Sequence, residues 1–137
     1  MKKLLTALSA LLLCVMLLAA CSGGRQTAES ADPSPHNPTP QEMLAQNPNA
    51  DFFLFEDVVY ANAENIEWVR QLKLRTEDAE EIGRIERVYA EGEPFASLTA
   101  TRLPLGTPVF RMKTGSQGVL FVTVDGKQLR YLGLIEG

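Results

Sequence analysis

Val119-Leu120-Phe121-Val122-Thr123-Val124-Asp125-Gly126-Lys127-Gln128-Leu129-Arg130-Tyr131 sets two strand-forming runs on either side of an Asp-Gly pair. Asp-Gly between such runs is the strongest short-range hairpin signal, because a type I′ turn requires positive φ at both central positions. A two-residue turn matches Val124 with Lys127, Val122 with Leu129 and Leu120 with Tyr131. Strand side chains alternate between faces, so Leu120, Val122, Leu129 and Tyr131 share one side, the predicted core side. Phe121, Thr123, Gln128 and Arg130 take the other. Phe121 opposite Arg130 predicts a partly exposed cation–π pair.

Upstream, Leu103-Pro-Leu-Gly-Thr-Pro108 is rich in turn residues and leads into the short apolar run Val109-Phe-Arg-Met112. Asp51-Phe-Phe-Leu-Phe-Glu-Asp-Val-Val-Tyr60 has strand composition, with Glu56-Asp57 marking a turn between two short strands. Asn62 is placed to cap a short helix running to about Arg70, with Ile66, Val69 and Leu72 on one side. Residues 75–81 are charged and expected at the surface. Glu81 to Tyr89 carries both periodicities; Gly83 and Val88-Tyr89 tilt it toward strand. The expected fold is mainly β, a β-rich α+β domain: a small curled antiparallel sheet or open barrel with one short helix and a C-terminal hairpin.

The other end of the chain has a different character. Met1-Lys2-Lys3 precedes an apolar run from Leu4 to Ala20, which closes on Leu18-Ala19-Ala20-Cys21. A basic start, an apolar stretch and small residues before a break read as a secretory signal. Leu-Ala-Ala-Cys resembles the lipobox of bacterial lipoproteins, in which the cysteine thiol takes a diacylglyceryl group and becomes the new N-terminus. The resemblance implies cleavage between Ala20 and Cys21, and lipidation at Cys21. The alternatives are a permanent transmembrane helix, for which the run is short against a core of roughly 30 Å, and an ordinary cleaved signal. Each buried methylene contributes about 0.8 kcal/mol, so two acyl chains anchor stably where one does not.

Residues 22–50 hold five of the eight prolines among Ser, Thr, Asn and Gln, with few large apolar side chains. Such a segment cannot bury enough surface to offset its ordering entropy. The expectation is therefore a lipidated cysteine and disordered stalk over 21–50, behind a signal peptide at 1–20 and ahead of a globular domain at 51–137. At full stretch the stalk would reach about 90 Å. A proline-rich docking peptide is the other use of such a stretch, though Pro-Ser-Pro-His-Asn-Pro38 lacks apolar or basic specificity residues.

Composition excludes much chemistry. His36 is the sole histidine and lies in the predicted stalk; the cysteines are Cys14, inside the signal, and Cys21. A domain with neither residue type cannot assemble a Ser-His-Asp or Cys-His site or the usual zinc site. No phosphate loop and no calcium loop is present, and no cofactor or metal is expected. Removing Lys2 and Lys3 takes the formal charge from -4 to -6, which argues against nucleic acid as a partner. Asp51, Glu56, Asp57 and the run Glu77 to Glu81 are close in sequence and read as solvated faces. Trp68, the only tryptophan, belongs either to the rim of a binding surface with Phe121 and Arg130 or to the core.

Asn62-Ala-Glu-Asn-Ile-Glu-Trp-Val69, Leu103-Pro-Leu-Gly-Thr-Pro-Val-Phe110, Val124-Asp-Gly-Lys127 and Arg130-Tyr-Leu-Gly-Leu-Ile-Glu-Gly137 resemble small uncharacterised lipoproteins of Bacillus-like Gram-positive bacteria. The likeness spans most of residues 51–137 and implies display on the outer face of the cytoplasmic membrane. It carries over no catalytic or binding residue. The expected function is a non-enzymatic binding or interaction module, tethered to membrane lipid through acylated Cys21, with an envelope protein or wall ligand as partner. A carboxylate-based enzyme acting on wall glycan and a purely structural envelope protein are the alternatives.

Overall fold

The computed structural model describes residues 35–136, so Cys21, the Ala20–Cys21 cleavage site and the predicted signal lie outside the described residues. The chain order is α1 (Pro40–Gln46), β1 (Phe52–Phe55), β2 (Val58–Asn62), α2 (Glu67–Arg70), a 3-10 turn (Thr76–Asp78), β3 (Ala79–Arg84) and β4 (Arg87–Val88). Then come β5 (Thr99–Ala100), β6 (Pro108–Met112), β7 (Val119–Val124) and β8 (Lys127–Gly133). All eight strands join one sheet, in the order β3-β6-β7-β8-β2-β1-β5-β4.

That order explains the curl into a half-barrel. The two edge strands, β3 and β4, are consecutive in the chain and joined only by Ile85-Glu86. Ile85 is buried within the curl; its N–H donates to the Thr107 carbonyl at 2.9 Å, and its own carbonyl accepts from Gly106 at 2.8 Å. Gly83 allows Leu98 to close over β3, since a Cβ there would lie 2.9 Å from a Leu98 methyl. The sheet is mixed, because β4 and β5 run parallel while every other pair is antiparallel.

The hairpin has the register its sequence predicts, with Val124↔Lys127, Val122↔Leu129 and Leu120↔Tyr131. Asp125 and Gly126 both have positive φ, 50° and 75°. Glu56-Asp57 turns β1 into β2 with positive φ at both positions and no glycine. Residues 79–84 and 87–88 are strand, as the 81–89 composition inclined.

Both faces of the sheet are buried at β7. Leu120, Val122 and Tyr131 fill the curl with Phe53, Tyr60 and Val109. Val119 and Phe121 face outward but are covered by Val69, Leu72 and Leu74 in a second cluster. Here the sequence reading needs correction: Phe121 is 1% exposed and forms no cation–π pair with Arg130. Among the described residues that contact is made by Arg111, 5.7 Å from the Phe55 ring. The helix expected from Asn62 is also shorter. Asn62 closes β2, its side chain accepts from the Glu64 N–H, and helical geometry begins only at Glu67.

The folded body starts earlier than the composition of residues 22–50 suggests. Thr39 caps α1 in a full capping box: its hydroxyl accepts from the Glu42 N–H, and the Glu42 carboxylate accepts from the Thr39 N–H at 2.8 Å. Pro40 follows at the first helical position, where its missing N–H costs nothing and its fixed φ suits the helix. Met43 and Leu44 then pack against Phe52, Leu54 and Val59 on the outer face of β1–β2. Asn37 ties the segment to the C-terminal end, accepting from the Glu136 N–H at 2.9 Å. Residues 35–50 of the stalk expected over 21–50 thus belong to the folded body.

The cap has a pH signature. The Thr39 backbone N–H first, and then the His36 ring, hold the Glu42 carboxyl down at about 2, against an ordinary 4.5. A carboxyl lowered in the folded state stabilises above its unfolded pKa, and that contribution is lost as pH falls through the folded value. Amide protection in α1 should therefore fall between pH 4.5 and pH 2, and Glu42→Gln should flatten that fall. Hydrogen exchange followed by NMR across the titration checks this.

Candidate binding cleft

Strand register assembles a polar cluster where β1, β2 and β8 meet. Pairing of Phe52 with Ala61 sets Asp51 beside Asn62, and pairing of Asn62 with Tyr131 brings in the phenol. The Asn62 amide donates to Asp51 Oδ2 at 2.7 Å, and the Tyr131 hydroxyl donates to the same carboxylate at 3.0 Å from Oδ1. Tyr131 is fully buried. Burial, and then the neighbouring Asp51 charge, push its hydroxyl far above the ordinary tyrosine range, so it stays a proton donor.

The next residues extend the cluster outward. Glu64 Oε1 accepts from the Arg130 backbone N–H at 2.9 Å and from its guanidinium at 3.0 Å. Arg130 Nε donates to the Leu72 carbonyl at 2.7 Å. Arg130 therefore stitches the chain after β2 to β8 and holds Glu64 in one orientation. A charge with this many fixed partners is pre-organised rather than mobile.

Beside the cluster lies an open cleft of about 440 Å³. One wall is the end of α1 and the turn after it, contributing Met43, Asn47, Asn49 and Ala50; the other is Ala61, Asn62, Glu64 and Asn65, with Asp51 between them. The first wall is fixed by hydrogen bonds that involve side chains. The Asn49 N–H donates to Asn47 Oδ1 at 3.0 Å, the Thr101 hydroxyl to the Ala50 carbonyl at 2.8 Å, and Arg102 to Asn49 Oδ1 at 2.8 Å. A cleft of a few hundred Å³ has room for a small ligand, and its lining here is mostly polar. A separate trough of about 460 Å³, lined by Leu44, Pro48, Tyr89 and Glu91, is less polar. Among the described residues no three His, Cys, Asp or Glu side chains gather as a metal site.

The residues singled out from sequence are divided by this geometry. Trp68 is exposed (54%), with Val69 beneath it fully buried, so it stands at the surface and not in the core. It follows the cleft-lining residues Glu64 and Asn65 in the same short connection. Arg130 is part of the cluster but as a brace, with only 13% of its side chain exposed. Phe121 takes no part. Asn47, Asn49, Glu64 and Asn65 carry no site signal in the sequence, and Asn62 reads there as a helix cap, because an asparagine at an element end has turn chemistry as its ordinary explanation.

No known protein family matches this chain, and no match was found among curated proteins or solved structures.

Proposed function

We propose that this protein is a bacterial lipoprotein, anchored through acylated Cys21, that displays a small non-enzymatic binding module outside the cytoplasmic membrane. The observation that carries the reading is Leu18-Ala19-Ala20-Cys21 closing an apolar run behind Lys2-Lys3. The likeness to lipoproteins of Bacillus-like bacteria supports a Gram-positive setting and an envelope protein or wall ligand as partner.

The cleft supports binding over carboxylate catalysis. Glycoside hydrolysis asks one carboxyl to deliver a proton and another to act on the sugar or on water. Asp51 and Glu64 both line the cleft, yet each already accepts hydrogen bonds from fixed partners, Asn62 and Tyr131 for one and Arg130 for the other. They act as braced acceptors. In cells fed a fatty-acid analogue, Cys21→Ala should abolish labelling and leave the signal uncleaved, while Cys14→Ala should change nothing in the mature protein. Undiminished labelling of Cys21→Ala would contradict the anchor.

A further inference from the structure

Resting on that reading of a displayed binding module, the geometry points to a neutral saccharide as the ligand of the Asn47–Asp51–Asn65 cleft. The lining chemistry selects the class. Six of the nine residues around the cleft carry an amide or a carboxylate, and none is Lys, Arg or His. A site without a cation does not suit an anion. Arg130 offsets the charge of Glu64, leaving Asp51 as the one carboxylate without a cationic partner, so a strong preference for cations is not built in either.

What remains is matched to hydroxyl groups. Each sugar hydroxyl is one donor and an acceptor, and it is satisfied by a carboxylate oxygen on one side and an amide N–H on the other. Asp51 is held by Tyr131 and Asn62, and Glu64 by Arg130, so both acceptors are oriented before any ligand arrives and lose little on binding. The apolar strip of Met43, Ala50 and Ala61 offers contact for the C–H face of a sugar ring. The openness of the cleft to solvent suits a segment of a longer chain. Trp68, three residues beyond Asn65 in the chain, is an exposed aromatic.

Trp68 is the only tryptophan, so its fluorescence gives one optical signal to set beside the residue-by-residue NMR test. The full chain in detergent micelles is titrated with chito-oligosaccharide, following Trp68 emission together with backbone amide NMR shifts. Saturable shifts are expected at Asn47, Asn49, Asn62 and Asn65. Asn65→Ala, at an exposed turn position, should weaken binding by about tenfold, the scale of one lost hydrogen bond to a polar ligand. Three results would overturn the saccharide site: no shifts at saturating sugar, shifts unchanged by Asn65→Ala, or response to a lysine-rich peptide and not to sugar. If sugar fails while Cys21 is still acylated, the ligand class is wrong and the anchored-module reading stands; if Cys21 carries no lipid, that reading fails first.

Discussion

Phe121→Ala should destabilise the protein by about 3–5 kcal/mol, the usual cost of truncating a buried phenylalanine. Phe121 lies on the outer face of β7 with Val119, and its ring is enclosed by Val69, Leu72 and Leu74 from the connection after β2. Removing it takes away apolar contact on both sides and leaves a cavity that α2 cannot fill by a small shift, because Val69 is itself fixed beneath it. Thr123→Ala, two residues on along the same face but partly exposed, should cost under about 1 kcal/mol. Urea unfolding of both variants checks the order. Equal effects would mean that the outer face of β7 is solvated.

Arg130→Met should be the second largest, at about 2–3 kcal/mol, below the range for fully buried pairs because Glu64 keeps 27% of its side chain exposed. The loss is not simply that of an ion pair. Glu64 would keep the Arg130 backbone N–H but lose the guanidinium, and the Leu72 carbonyl would lose its side-chain donor. Combining Arg130→Met with Glu64→Leu should recover part of the loss, since the stranded carboxylate is then gone. A double-mutant cycle by denaturant unfolding measures the coupling. Strictly additive losses would show that the two side chains stabilise the fold independently.

The hairpin was legible because its signal is local: Asp125-Gly126 fixes the turn, and the turn fixes the register of every pair in it. What lay beyond local reading was the covering of its second face. Alternation alone gives one core side and one wet side, yet the residues that cover Phe121 come from positions 69 to 74, far away in sequence. The unbroken apolar run Val119-Leu-Phe-Val122 was the available clue, since strands buried on both faces read as continuous rather than alternating.

Residues 35–50 teach the opposite lesson. Proline content outweighed a clear local start signal, Thr39-Pro40 with Glu42 closing a capping box ahead of Met43-Leu44. Pro40 in that context begins a helix. The cleft was the least legible feature, because it exists only where two asparagine-bearing turns, at 47–49 and 62–65, are brought together by the β1–β2 pairing and by α1 lying against it.

A folded wall built from residues 40–50 completes the cleft on the half-barrel, and amide hydrogen exchange of the full chain tests this most directly. The N–H groups of Met43, Asn47 and Ala50 donate to the carbonyls of Thr39, Met43 and Asn47 at 3.0, 2.9 and 3.0 Å. These three amides should exchange well below the unstructured rate at neutral pH, with the β1 and β2 amides slower still. Exchange of all three at the rate of an unstructured chain, with β1 and β2 protected, would contradict the account: the sheet would stand and the cleft would lack a wall.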